Sequence, residues 1–174
     1  MRIERLERDE AETAVRAVLA TLPDWFGIEK SNEDYAKAAH ILPCFGAVDA
    51  AGVVQGVALL SPAEFSHWCN VPSVGAAFEG EGFVEAESVE LHLLAVRPDH
   101  HRDGIGSALL AELEAEAKAH KANHLFVLTL GPSEPYEPYQ RTRAFYAARG
   151  FRPIVETPEI WGPTDPCLIS VKTL

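Results

Sequence analysis

A strand that runs straight into a glycine-bearing turn and then a helix leaves a chain few folds to adopt. Val89 to Leu110, VELHLLAVRPDHHRDGIGSALL, is such a stretch. Val89–Val96 is apolar apart from Glu90 and His92. Period-two alternation puts those two side chains on one strand face and Leu91 and Leu93 on the other. Arg97-Pro98 ends the strand, because proline has no N–H to give to a ladder. His100 to Gly106 then forms a tight turn with two glycines, and Ser107-Ala108-Leu109-Leu110 opens a helix whose apolar face continues through Leu113. Glycine lets a backbone approach a ligand closely, and the first N–H groups of a helix have no internal acceptor. Together they suit phosphate oxygens.

The remaining chain has to be compatible with that unit. At 174 residues it is long enough for one domain with a real core, and a single domain over 1–174 is the expectation. No apolar run approaches the ~20 residues of a membrane span, so no membrane partner is expected. The charged start, MRIERLERDE, does not read as a secretory signal. The net charge of -11 argues against nucleic acid and permits a cationic substrate such as an amine. Cys44, Cys69 and Cys167 are odd in number and far apart, which fits thiols of a reducing cytoplasm rather than a disulfide framework.

Along the chain, Met1–Leu6 reads as a short edge strand. Asp9 or Thr13 caps a helix carrying Ala14, Val15, Val18, Leu19 and Leu22, and Pro23 stops it. Trp25 and Phe26 fall in a loop, and Ser31 caps a second helix to about His40. Pro43–Asp49 and Val53–Ser61 form an antiparallel pair around Ala50-Ala51-Gly52, with Gly56 marking a bulge or a close backbone approach. From Pro62 to Glu87 no periodicity is legible. After the central unit come a helix over Ser107–His120, a buried strand at His124–Leu130 and a helix over Tyr139–Arg149 with Gly150 at its C-cap. Strands at Phe151–Val155 and Cys167–Lys172 close the chain. Strand, helix and strand in this order make a βαβ unit.

The turn His101-Arg102-Asp103-Gly104-Ile105-Gly106 resembles the acetyl-CoA-binding motif of the GNAT (GCN5-related N-acetyltransferase) family, Gln/Arg-x-x-Gly-x-Gly/Ala, with His101 in the first place. Phe145-Tyr146 followed by Gly150-Phe151 resembles that family's late helix. The resemblance covers Val89–Phe151 by motif and the remainder by element order. It implies an α/β (α+β) GNAT fold: a mixed, mostly antiparallel central sheet flanked by helices, around a βαβ acetyl-CoA-binding core.

The resemblance implies transfer of an acetyl group from acetyl-CoA, as co-substrate, to a primary amine of a small molecule or peptide. The coenzyme would be held by backbone near Leu94, Ala95 and Val96, and by His101, Arg102, Asp103, Gly104, Ile105, Gly106 and Ser107. Tyr139 stands where many members carry an Asn. Tyr146 matches the general acid that protonates the leaving thiolate. An amine must lose a proton before it attacks, and Glu90, with His92 as second choice, is placed to take it. Trp25 and Phe26 are candidates to floor the acceptor site. Seven histidines include no helical His-x-x-x-His pair, so no metal is expected. A homodimer is compatible with the sequence, and the alternative function is a non-catalytic acyl-CoA-binding or sensor domain of the same fold.

Overall fold

The computed structural model describes residues 1–62 and 87–174. The segment between them, with Trp68, Cys69, Glu79, Glu81 and Glu85, lies outside the described residues. The elements follow in the order β1 (Arg2–Arg5), α1 (Arg8–Leu19), α2 (Glu29–Ala39), β2 (Cys44–Val48), β3 (Val54–Pro62), β4 (Ser88–Val96), α3 (Ile105–Ala119), β5 (His124–Leu130), α4 (Glu137–Ala148), β6 (Arg152–Thr157) and β7 (Cys167–Thr173). The seven strands make one mixed sheet in the order β1-β2-β3-β4-β5-β7-β6. Ser88–Glu90 of β4 pair in parallel with His124–Phe126 of β5. The ladders β1/β2, β2/β3, β5/β7 and β6/β7 are antiparallel.

Contacts divide the chain into two compact units. The first holds Met1–Ser61 and Leu91–Ala119. In it α1 buries Ala11, Ala14, Val15, Val18 and Leu19, one face at helical spacing. These residues pack on Leu6, Cys44, Val57, Leu59, Leu93 and Ala95. Each fully buried Val or Leu contributes roughly 1.5–3 kcal/mol. Arg16 bridges the two helices, its guanidinium 2.6 Å from Glu12 and 2.8 Å from Glu33. Gly56 is a close backbone approach, since a Cβ there would stand 3.0 Å from the Ala95 carbonyl oxygen and 3.2 Å from Leu109. It also adjoins the register shift at Ala47/Val48, so both expectations for this glycine hold. Asp49 organises the hairpin: Oδ1 accepts the N–H groups of Ala51 and Val53, and Oδ2 that of the Gln55 amide. Those bonds, Val53 foremost, hold its carboxyl below the usual range.

The second unit holds His120–Leu174 together with β4 as far as Glu90. β7 runs between β5 and β6, and β6, which contains Pro153, is the edge. Gly131 lies against the Glu156 carboxylate, which also accepts the Ser133 N–H at 2.9 Å.

Several helix starts differ from the sequence reading. α1 begins at Arg8 after Glu7 and α2 at Glu29 after Ile28, neither with a side-chain cap. Asp9, Thr13 and Ser31 therefore lie inside helices, and Thr13 donates its hydroxyl back to the Asp9 carbonyl. Leu22 follows α1 and is buried outside it. α3 starts at Ile105 rather than Ser107, and α4 at Glu137, with Pro138 in its first turn.

Candidate active site

Pro98–His100 closes β4 with a single 3-10 turn. The His100 and His101 N–H groups donate to Arg97 and Pro98, and those of Ser107 and Ala108 both donate to Gly104, at 3.0 Å each. The N–H groups of Arg102, Gly104, Ile105 and Gly106 have no acceptor among the described residues. Arg102 (φ 73°) and Gly104 (φ 86°) are in the left-handed region. This conformation turns successive amides toward one side, and α3 adds the positive end of its dipole. A Cβ on Gly104 would meet nothing within 4 Å, so the backbone is open to a ligand there. His101–Gly104 of the turn are exposed, His100 and Gly106 are half-buried, and the buried Ile105 anchors α3 in the core. His101 Nε2 donates to the Val96 carbonyl at 2.8 Å, and His100 Nδ1 lies 3.2 Å from Asp103 Oδ2.

β4 alternates as the sequence predicts. Val89, Leu91, Leu93 and Ala95 are buried, while Glu90, His92, Leu94 and Val96 are half-buried on the other face. Within the first unit the loop after α1 brings aromatic rings to this region. Trp25 stands edge-on to His101, with centroids 5.7 Å apart. Phe26 meets Tyr35 at 6.0 Å, and Tyr35 meets His92 at 5.2 Å.

In the second unit α4 is pinned to the end of β5. The Arg143 guanidinium donates to the carbonyls of Leu130 (2.7 Å) and Gly131 (3.2 Å). One turn on, Tyr146 is buried at 6% exposure between Phe145 and Phe151, each 5.2 Å away. It lines a cavity of about 250 Å3 with Thr129, Arg143, Phe151 and Ser170. Tyr139, in the first turn of α4, tilts against Tyr136, and burial pushes its hydroxyl above the ordinary tyrosine range.

A family profile described as an acetyltransferase (GNAT) domain matches residues 45–153, which include the turn, β4, α3 and α4. The chain belongs to the GNAT acetyltransferase family. A relative, the amino-acid acetyltransferase of Ectopseudomonas mendocina (strain ymp), is 39% identical over 69 residues. Those residues are 40% of this chain and only 14% of that protein. A protein from Desulfovibrio desulfuricans assigned to the GNAT family shares the fold at 18% identity, with a TM-score of 0.75 over 99% of this chain and 98% of the other. An aminoglycoside 6'-N-acetyltransferase complexed with coenzyme A does so at 18% identity, with a TM-score of 0.68 over 99% and 97%.

For this GNAT chain, the structure brings together some of the residues that the sequence singles out. Trp25 and Phe26 are partly buried against the core, their ring partners being His101 and Tyr35 rather than each other. The Ser107 N–H is already taken by Gly104, unlike those of Gly104, Ile105 and Gly106. Two residues went unread in the sequence. Tyr35 shows there only as an aromatic on a charged helix, and its contact with His92 spans 57 residues. Arg143 lies within the late-helix motif, but nothing local marks its carbonyl partners. Among the described residues no three His, Cys, Asp or Glu side chains gather as a metal site, and no helix is long and apolar enough to cross a membrane.

Proposed function

We propose that this chain is an N-acetyltransferase that moves an acetyl group from acetyl-CoA to a primary amine by direct attack. One observation carries the reading: the four N–H groups of Arg102, Gly104, Ile105 and Gly106, in the turn and the start of α3, meet no acceptor among the described residues. They form a ready receptor for the diphosphate of the coenzyme, with Arg102 as a nearby cation. The parallel ladder of β4 with β5 runs over Ser88–Glu90, which leaves the edge of Leu94–Val96 to pair with the pantetheine amides and polarise the thioester carbonyl.

The chemistry then needs a base and an acid. Glu90, with His92 two residues along the same face, takes the proton from the ammonium form of the acceptor. The amine nitrogen bonds to the thioester carbon, the C–S bond breaks, the Tyr146 hydroxyl protonates the departing thiolate, and the second proton that the nitrogen sheds on becoming an amide restores that hydroxyl. The acidic composition favours a cationic acceptor. Phe26, Tyr35 and His92 supply ring surface on which a charged amine rests well. The buried, unpaired thiols of Cys44 and Cys167 support a reducing, cytoplasmic setting.

Thiol release from acetyl-CoA, followed with a panel of amino acids, polyamines, aminoglycosides and peptide amines, tests this function. Amine-dependent release is expected. Tight coenzyme binding with no turnover on any amine would instead identify a sensor domain.

A further inference from the structure

We propose that the His101 imidazole is itself a coenzyme-binding group, one that takes up a proton as the diphosphate enters the turn. The proposal rests on the reading of this turn as the acetyl-CoA site. Its own ground is the ring's placement. A carbonyl oxygen can only accept, so the 2.8 Å contact with Val96 requires the hydrogen to sit on Nε2. Trp25 packs perpendicular to the imidazole, with ring centroids 5.7 Å apart. In the neutral ring Nδ1 is then a bare lone pair, and it has no partner among the described residues. His101 directly precedes the free Arg102 amide in a turn that also presents Gly104, Ile105 and Gly106.

A lone pair in a phosphate receptor is repulsive. An added proton there supplies a further donor and a positive charge. Histidine makes that change close to neutral pH, at little cost. The surrounding charges leave the role to His101. His100 is engaged with Asp103. Arg97 turns its Nε to the Val54 carbonyl. Val96 contributes a carbonyl and Trp25 an uncharged ring, with Asp24 beside it in the chain. Arg102 is cationic throughout, and Asp99 stands in the preceding 3-10 turn. Asp49 is held by the Ala51 and Val53 N–H groups and the Gln55 amide.

The test is calorimetric titration of the full chain with dephospho-CoA, which lacks the 3'-phosphate and its own titration, near pH ~7.5 in buffers of low and high ionisation enthalpy. The heats should diverge by uptake of about half a proton per ligand. His101→Gln keeps a donor for the Val96 carbonyl but cannot titrate, so it should bind with that uptake lost. His100→Gln should retain it. Uptake that survives in His101→Gln, or is absent from the unmodified chain, overturns the proposal while leaving the coenzyme site intact. Failure of the unmodified chain to bind CoA or dephospho-CoA at all overturns the site reading instead. Imidazole NMR titration of the unmodified chain gives an independent check: ligand should raise the His101 midpoint, and an unmoved midpoint refutes the assignment.

Discussion

Gly104→Glu puts the coenzyme reading at greatest risk. In the free protein a side chain at this position meets nothing within 4 Å. The structural penalty is therefore the left-handed backbone, φ 86°, which costs an L residue about 1 kcal/mol. For a chain of this size that lowers Tm by about 2–4 °C. The effect on the ligand is larger. A carboxylate about 5 Å from a phosphate charge, at an effective dielectric near 20, is repelled by about 3 kcal/mol, and salt screening reduces this. Coenzyme affinity should fall about a hundredfold. Gly104→Ala separates the two terms, because it carries the backbone strain without the charge. Calorimetry with CoA, paired with thermal melts, reads both. If Gly104→Glu melts within the expected few degrees and still binds CoA within about threefold of the unmodified chain, the anion does not sit on this turn.

The other expectations concern the proposed chemistry and the core. Tyr146→Phe should leave CoA binding little changed and lower turnover about a hundredfold, which is within the range for acid–base groups. Full turnover with chemistry rate-limiting would make Tyr146 a packing residue between Phe145 and Phe151. Glu90→Gln should lower kcat and recover in part at high pH, where more acceptor is unprotonated, and His92→Gln should do less. The reverse ranking in pH–rate profiles would exchange their roles. Burial pushes the Cys44 and Cys167 thiols up to about 12, so a disulfide reagent near pH ~8 should label neither before unfolding. Their folded pKa lies above the unfolded one. The linked stability is thus complete below the ordinary thiol range and is lost as pH rises from there toward about 12, visible as a falling Tm. Gly56→Val should destabilise by about 1–3 kcal/mol through crowding against β4, and an unchanged Tm would mean that β3 and β4 yield freely.

What the sequence determined by itself was local and periodic. Alternation from Val89 to Val96 sorts buried from half-buried side chains correctly, because in a strand the face follows from residue parity alone. Gly104 and Gly150 mark left-handed positions because a side chain is penalised there. The Ala50-Ala51-Gly52 hairpin was legible for the same reason: its Asp49 bonds close within six residues. Helix starts were not. Glu7, Ile28 and Tyr136 precede α1, α2 and α4 without a capping bond, so packing of the helix faces decides where each begins. The order β5-β7-β6 also depends on packing. β7, with Cys167, Ile169 and Ser170 buried, takes the inner place, while β6, with no buried residue and an N–H missing at Pro153, takes the edge. The ring pairs lie furthest from anything local. Trp25 with His101 and Tyr35 with His92 join residues 76 and 57 positions apart. No residue pattern encodes such a contact. It exists because α1, α2 and the first strands close a common core, and that closure brings the rings to the strand and turn that the sequence had already singled out.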